Sequence, residues 1–308
     1  MALAFAIIAV AGGGVASAQV CAAPAYPGDT ASREAIAQWM AYAASAAGLP
    51  RELPVMGAIV ESGLHNLTIP DADSAGYFQT RASVWNRGEY AGFPEHPEIQ
   101  LTWFTDQAAI IRRAQLAAGG PDPATAENTW GSWIADVLRP AEQFRGRYQL
   151  RLGEARALIG AACIPDATGA PTAPPGTPPA PGTPPPPPSP AADTVAPLVE
   201  LTGQRRQRAL ARGAIAVTVA CPAERCAAAA TATLRLPGAR RALRLTSRPR
   251  IIEGGRHSTL RLALSHRDRA RVRKALRSCP SLVATIRVAA VDAGANLTVR
   301  KRTVRITS

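Results

Sequence analysis

The spacing of hydrophobic residues follows a helical period over the first half of the chain. In residues 32–48 apolar side chains recur every three to four positions, as on one face of an α-helix. No stretch before residue 160 alternates apolar and polar residues as a strand does. We therefore predict an all-α domain over residues 30–164. Its remaining helices are expected at residues 54–63, 97–119, 121–139 and 141–159.

From residue 198 the pattern changes to a period of two, which is typical of strands. Residues 292–296 have the composition of a hairpin turn, and Ser265 is placed to cap a short helix at residues 266–276. Strands and turns at this regular spacing predict an all-β sandwich over residues 198–308. The alternating segments are residues 214–221, 230–236, 242–245, 258–264, 282–291 and 297–306.

Proline separates the two patterned regions. Residues 165–197 include an unbroken proline run at 184–188, and such a composition favours an extended polyproline II spacer. We therefore expect a multidomain chain in which this linker joins the helical domain to the sandwich.

The amino terminus has the features of a secretory signal. An apolar run at residues 3–10 precedes the small residues Ala-Ser-Ala at 16–18, an A-x-A cleavage site. The run is too short to span a bilayer. We expect residues 1–18 to be a signal peptide and the protein to be secreted, soluble and associated with the cell wall.

Five cysteines in an exported chain favour disulfide bonds. Cys21 and Cys163 bracket the helical domain, and Cys221 and Cys226 are near neighbours in the second, so we predict these two bridges. Cys279 is then left over, either free and buried or exchanged into the second pair. No C-x2-C doublet is present, and we expect neither a metal nor a cofactor.

Charge is distributed unevenly along the chain. Residues 1–194 carry a balance of −6 and residues 195–308 a balance of +19, which gives a net charge of +13. Such a strongly basic module is expected to attract phosphate-rich partners. Outside the cell these would be anionic wall polymers or a membrane surface rather than nucleic acid, although a passive basic spacer fits equally well. We expect a monomer.

Glu61 has the setting of a general acid. Pro54 can open a helix at its first position and Gly63 can close it, which leaves Glu61 in the last turn and outside the apolar arc. The negative end of the helix macrodipole and partial burial both favour the protonated carboxyl. A carboxyl that holds a proton near neutral pH is what general acid catalysis requires. A solvated glutamate at a helix end is the alternative.

Two motifs in register strengthen the interpretation of Glu61. The sequence ESGL occupies residues 61–64 and SAGYFQ residues 74–79, so the glutamine follows the glutamate by eighteen positions. This arrangement resembles the E-S-x-[FL] … G-[LY]-[MF]-Q signature of soluble lytic transglycosylases, which are lysozyme-like enzymes of peptidoglycan. The resemblance covers residues 35–159. In the basic module, the turn at 292–296 loosely resembles bacterial immunoglobulin-like modules.

The resemblance implies cleavage of the β-1,4 bond between N-acetylmuramic acid and N-acetylglucosamine in peptidoglycan glycan strands. Glu61 would protonate the leaving oxygen and then deprotonate the C6 hydroxyl, which yields a 1,6-anhydro sugar. A goose-type lysozyme would instead need a second carboxylate to activate water. Asp71 and Asp73 are the nearest candidates for that role, and we interpret them first as loop residues.

Further residues are candidates for substrate binding. The resemblance implies that Ser62 orients Glu61 and that Gly76 and Gln79 form the floor of the sugar site. Thr80-Arg81 replaces the apolar residue and proline that follow this glutamine in the family, and the later A-Y-N-A-G motif has no counterpart. The candidate substrate-binding residues are Ser62, Gly76, Tyr77, Gln79, Trp85, which can stack on a sugar, and Tyr148, which can replace the tyrosine of the missing motif.

Three functions remain open at this point. A lytic transglycosylase is favoured, a hydrolase of the same bond is second, and a non-catalytic glycan-binding surface protein is third. The Glu-Ser pair argues against the third, since binding alone does not require a proton donor.

Overall fold

The computed structural model describes residues 22–67, 73–162 and 193–308. Several sequence predictions lie outside these residues: the signal peptide at 1–18, the pairing of Cys21 with Cys163, the role of Asp71, and the linker up to residue 192. In the described part, no helix is long and apolar enough to span a membrane.

The first half of the chain is mainly helical, in agreement with the helical period. Single turns of 3-10 helix at Gly88–Tyr90, Pro123–Thr125 and Glu127–Thr129 connect the longer helices. The elements in order are α1 (Arg33–Ala46), α2 (Glu52–Ser62), β1 (Ser74–Ala75), β2 (Thr80–Arg81), α3 (Ala82–Trp85), α4 (Pro97–Ala117), α5 (Trp130–Leu138) and α6 (Leu152–Ile159).

Local signals set several helix ends. The side chain of Ser32 caps α1 by accepting the N–H of Ala35. Gly63 ends α2 in the left-handed region at φ 64°, and Pro97 is the first residue of α4. The prediction that Pro54 begins α2 is wrong. The helix begins at Glu52, and Pro54 occupies its third position. Proline is tolerated there because the first-turn N–H groups lack helical partners.

The last helix is shorter than predicted. Residues 141–159 contain two stretches of 3-10 helix, Glu142–Arg147 and Gln149–Arg151, and only α6 is α-helical. The 3-10 segments leave Tyr148 between them. This tight local winding determines where the Tyr148 side chain points.

The second half forms two sheets. The elements are β3 (Glu200–Thr202), β4 (Arg206–Gln207), α7 (Ala209–Arg212), β5 (Ala214–Ala220), β6 (Cys226–Leu234), β7 (Leu243–Thr246), β8 (Arg250–Ile252), β9 (His257–Ala263), α8 (His266–Ser278), β10 (Leu282–Val291) and β11 (Leu297–Ile306). One sheet has the order β4-β11-β10-β6-β7, with β8 also paired to β6, and the other has the order β3-β5-β9. All of these pairs are antiparallel except β4 with β11.

The core between these sheets follows the predicted alternation. Residues such as Val217 and Leu260 from one sheet and Ile286 from the other belong to one buried cluster. A disulfide joins Cys221, just after β5, to Cys226, the first residue of β6. Cys279 is free and half-buried. Ser265 caps α8 by accepting the N–H of Asp268, as predicted.

The predicted fold class, an all-α domain linked to an all-β sandwich, is wrong: the described chain is mixed α/β. Strands β1 and β2 form an antiparallel ribbon within the helical half, where Ser74 pairs with Arg81. Helices α7 and α8 belong to the second half. Two-residue strands are too short to leave a period in the sequence, which is why the pattern did not indicate them.

The two halves also share a core. Helix α4 packs on β6 and β10, and Ala227, Ala229, Ala289 and Val291 from these strands belong to the same buried cluster as the helical half. Three of these four side chains are alanine, which lets the helix approach the sheet closely. The outer face of the six-stranded sheet is therefore partly covered by α4, whereas an isolated sandwich would leave it open.

Candidate active site

Glu61 lies in the last turn of α2, where the chain reverses sharply. Gly63 and Leu64 both have positive φ, 64° and 67°, and Leu64 is fully buried. The buried leucine anchors the chain after the turn, and Glu61 remains partly exposed on the other side. The end of α2 therefore presents the carboxyl of Glu61 at the surface, while the buried Leu64 fixes the backbone that follows it.

The hydroxyl of Tyr148 donates a hydrogen bond to Oε1 of Glu61. Tyr148 is 1% exposed, so its ring is packed in the core and its hydroxyl is the group that contacts the Glu61 carboxyl. The two residues are 87 positions apart. The structure thus brings together the predicted acid and the tyrosine that the sequence offered as a candidate for its site.

Opposing effects act on the pKa of Glu61. Burial is the largest and raises the pKa, while the hydrogen bond from Tyr148 and the positive charge of Arg147 lower it. The result is a pKa above the ordinary value for glutamate. Burial and the bond to Glu61 also raise the pKa of Tyr148, which stays a neutral donor. A carboxyl so placed can hold a proton and can also be stabilised once that proton has left.

Two contacts with α5 hold Tyr148 in place. Arg145 is buried and pairs with Asp136, and its Nη1 donates to the carbonyl of Ala135 at 2.9 Å. The N–H of Gly131 donates to Oε1 of Gln149 at 2.8 Å. Arg145 and Gln149 flank Tyr148 in sequence and belong to the two 3-10 segments on either side of it. Both segments are therefore fixed against α5, which holds Tyr148 between them.

Ser62 does not orient Glu61. Its hydroxyl lies within hydrogen-bond distance of the carbonyl oxygens of Ala58, at 3.1 Å, and Tyr77, at 2.9 Å. The first carbonyl belongs to its own helix and the second to the turn between β1 and β2. Ser62 therefore joins the end of α2 to the ribbon, and its effect on Glu61 is through the backbone.

Gly76 and Gln79 shape the same ribbon. Gly76 has φ 76°, and a Cβ there would overlap the side-chain amide of Gln100. Gln79 also has positive φ, 46°, and its Nε2 donates to the carbonyl of Gly76 at 2.8 Å. The glutamine of the motif is thus used for the turn itself. Glycine is required at position 76 because neither its dihedral angle nor the space beside it admits a side chain.

Sequence reasoning missed Gln100. It is fully buried in α4, its Oε1 accepts the N–H of Tyr77 at 2.9 Å, and its Nε2 donates to Asn66 at 3.1 Å. The available signal was a polar residue on the apolar face of a helix. Gln100 connects the loop after α2 with the ribbon, and so fixes both sides of the turn.

Tyr77 is a core residue. It is fully buried, its hydroxyl is 2.9 Å from that of Tyr26, and its ring lies against Trp39. The structure therefore does not place it where a substrate could touch it. Its prediction as a binding residue is not supported by this position.

Trp85 is partly exposed, but the basic half covers one face of its ring. The guanidinium of Arg225 lies 4.2 Å from the ring centroid, and Trp103 and Tyr90 meet the ring edge-on. A cavity of about 420 Å³ beside it is lined also by Glu89 and Glu253. Stacking of a sugar on this ring would compete with Arg225 for that face.

Asp73, the described candidate for a second carboxylate, is engaged in local hydrogen bonds. It accepts the hydroxyl and the N–H of Ser83 and the Nε of Arg81. The bonds from Ser83, followed by that from Arg81, lower the pKa of Asp73 to about 2. A carboxylate with so low a pKa and with both oxygens occupied is a poor base.

One carboxylate cluster lies in the basic half, where the sequence predicted no metal. Oxygens of Asp193, Glu224 and Asp292 lie within 4.8 Å of one another. Burial and the two neighbouring carboxylates raise the pKa of Glu224, while Asn296 donates its N–H to Asp292 at 2.8 Å. Asp292 therefore stabilises the hairpin turn at residues 292–296 by accepting hydrogen bonds from Asn296.

A scan against protein-family models finds no match for this chain. A search of curated proteins likewise finds no match. No family is therefore assigned.

Proposed function

We propose that this protein is an exported peptidoglycan lytic transglycosylase that cleaves the β-1,4 bond between N-acetylmuramic acid and N-acetylglucosamine. The observation that carries the proposal is the pair formed by Glu61 and Tyr148. Burial raises the pKa of Glu61, and a buried tyrosine donates to its carboxyl. A surface glutamate at a helix end would have neither feature.

The proposed reaction uses one carboxyl twice. Protonated Glu61 gives its proton to the glycosidic oxygen of the leaving N-acetylglucosamine as the bond to the anomeric carbon breaks. The glutamate formed is stabilised by the Tyr148 hydroxyl and by the charge of Arg147. It then takes the proton of the C6 hydroxyl of the muramoyl sugar while that oxygen bonds to the anomeric carbon. A 1,6-anhydro end results, and no water is consumed.

The state of Asp73 favours this reaction over hydrolysis. A hydrolase with an inverting mechanism needs a second carboxylate to activate water. Both oxygens of Asp73 accept hydrogen bonds from neighbouring residues, and its pKa is lowered to about 2. Besides burial, the groups among the described residues that shift the pKa of Glu61 are Tyr148 and Arg147, and neither is a carboxylate. A single-carboxylate mechanism therefore fits the site better.

The test is muropeptide release from purified sacculi by the full chain. We compare the wild type with Glu61→Gln, which keeps the shape and removes the transferable proton, and with Glu95→Gln, an exposed glutamate, as a matched control. We expect loss of release in Glu61→Gln alone, and products that end in 1,6-anhydro sugars.

Other outcomes would point elsewhere. Reducing ends would identify a hydrolase. Binding to sacculi without release by the wild type would favour a non-catalytic glycan-binding protein. Equal release by Glu61→Gln and the wild type would exclude Glu61 as the acid.

A further inference from the structure

The six-stranded sheet has an open, basic groove beyond the edge of α4. Its volume is about 790 Å³. Helix α4 covers one end of the outer sheet face, over Ala229 and Ala289, and the groove occupies the other end. Because side chains alternate along a strand, every second residue of β6, β7, β10 and β11 lies on this outer face, and those beyond α4 line the groove.

Four cations line the groove: Arg235, Arg244, Arg287 and Lys301. All four are exposed, and within the described residues none of them forms an ion pair. Of these four side chains, only Arg287 has a hydrogen-bond partner in the part of the chain that the structure describes: its Nε donates to the carbonyl of Ala117 at the end of α4 at 2.9 Å. The other three therefore remain available as donors to an anion.

The strand register arranges these groups in rows. Arg287 is paired with Lys301 on one side, and in the next row Thr285 is paired with Thr233. Thr233 is in turn paired with Arg244. Adjacent strands lie about 4.8 Å apart, so the Arg287–Lys301 pair and the neighbouring row of Thr285, Thr233 and Arg244 place cations and hydroxyl groups at spacings that can serve successive phosphates. Guanidinium, ammonium and hydroxyl groups are the usual donors to phosphate oxygens.

The basic surface continues past the groove. A second cavity of about 400 Å³ shares Lys301 with the first and is lined by Arg205, Arg300 and Arg302. An extended polyanion could therefore follow one path across the sheet and around β11. A small anion would need only one of these positions.

The lining also indicates what kind of polyanion fits. In the part of the chain that the structure describes, the groove is lined by neither a carboxylate nor an aromatic ring. Without aromatic rings it lacks the stacking platforms that single-stranded nucleic acids use. The groove is also concave and has four cations in its lining, whereas a surface that inserts into a bilayer presents a continuous apolar face.

We propose that this groove binds a linear phosphodiester polymer without aromatic bases, of the polyol-phosphate type. Arg235, Arg244 and Lys301 contact successive phosphates, and the threonine hydroxyls between them donate to the phosphate oxygens. The inference does not depend on the reaction at Glu61, since the groove lies on the basic half and uses none of the site residues.

The experiment measures fluorescence anisotropy of a labelled glycerol-phosphate oligomer of roughly ten repeats with the full chain over a range of salt concentrations. The variant Arg235→Gln/Arg244→Gln/Lys301→Gln removes the three free cations of the groove. The matched control Arg267→Gln/Arg273→Gln/Lys274→Gln removes three exposed cations of α8. A further variant, Thr285→Glu, introduces a negative charge at the centre of the groove. Far-ultraviolet circular dichroism verifies that each variant is folded.

We expect the groove variant to bind about tenfold more weakly and to lower the slope of log K against log salt by about 2, from three lost phosphate contacts. Thr285→Glu should weaken binding similarly, the α8 control should not, and Glu61→Gln should bind like the wild type. Equal weakening by the groove and α8 variants would overturn the proposal, because only net charge would matter. Tighter binding of single-stranded DNA with the same number of phosphates, or of phosphatidylglycerol vesicles alone, would also overturn it.

Discussion

Substituting Gly131 by alanine tests whether the 3-10 segment Gln149–Arg151 is held against α5. Gly131 is the second residue of α5, and its N–H bonds to the side chain of Gln149. A Cβ on Gly131 would lie 2.5 Å from the backbone N and 2.7 Å from the Cα of Gln149. No real Cβ approaches backbone so closely, so Gln149 must move, and Tyr148 precedes it in the chain.

The cost can be worked out from this contact. Overpacking of a well-packed site costs about 1–3 kcal/mol, and here the obstacle is backbone, which cannot rotate away. Alanine gains up to about 1 kcal/mol over glycine in a helix interior, and less in the first turn. We therefore expect Gly131→Ala to lower the free energy of unfolding by about 1–2 kcal/mol and to reduce muropeptide release, since Tyr148 shifts away from Glu61.

Gly153→Ala is the matched control. Gly153 is the second residue of α6, and a Cβ there would meet nothing within 4 Å. Urea unfolding followed by tryptophan fluorescence reports on the helical half, because all 5 tryptophans lie before residue 163. Unfolding at the same urea concentration in both variants, with full muropeptide release, would refute the conclusion that contact with α5 positions Tyr148.

Two further predictions concern the pKa of Glu61 and the disulfide. Tyr148→Phe removes a donor that lowers the pKa of Glu61, so this pKa should rise. Because protonated Glu61 starts the reaction, the alkaline limb of the pH profile for muropeptide release should move to higher pH. A move to lower pH would contradict the role of Tyr148. Cys221→Ser/Cys226→Ser opens a loop with a sequence separation of 5 and should cost about 2 kcal/mol in free energy of unfolding, measured by urea unfolding followed by circular dichroism. Dithiothreitol should lower the stability of the wild type by about this amount more than that of the variant, because the variant can lose only the predicted Cys21–Cys163 bridge.

Features that depend on a few neighbouring residues were predictable from the sequence. Gly63 ends α2 and Pro97 begins α4, because the dihedral preferences of glycine and proline are properties of the residue itself. The position of Glu61 in a last helical turn follows from the same signals. The disulfide between Cys221 and Cys226 could be predicted because only a short loop separates them.

Features that depend on distant partners were not predictable. The alanines that begin β6 have no clear period, and they form a strand because β8 and β10 pair with them and α4 packs above them. The ribbon of β1 and β2 consists of two residues on each side, and the buried Gln100 holds the turn that connects them.

The sequence by itself thus determined the approximate positions of the longer helices and strands, the end of α2 at Gly63, the start of α4 at Pro97 and the place of Glu61 in a last helical turn, since each depends on chemistry within a few residues. The tertiary structure alone decided that Tyr148 donates to Glu61 across 87 positions, that Ser62 bonds to the ribbon, and that α4 covers part of the sheet face. The physical reason is that hydrogen bonds and packing select a partner by proximity in the folded chain, which sequence spacing does not encode.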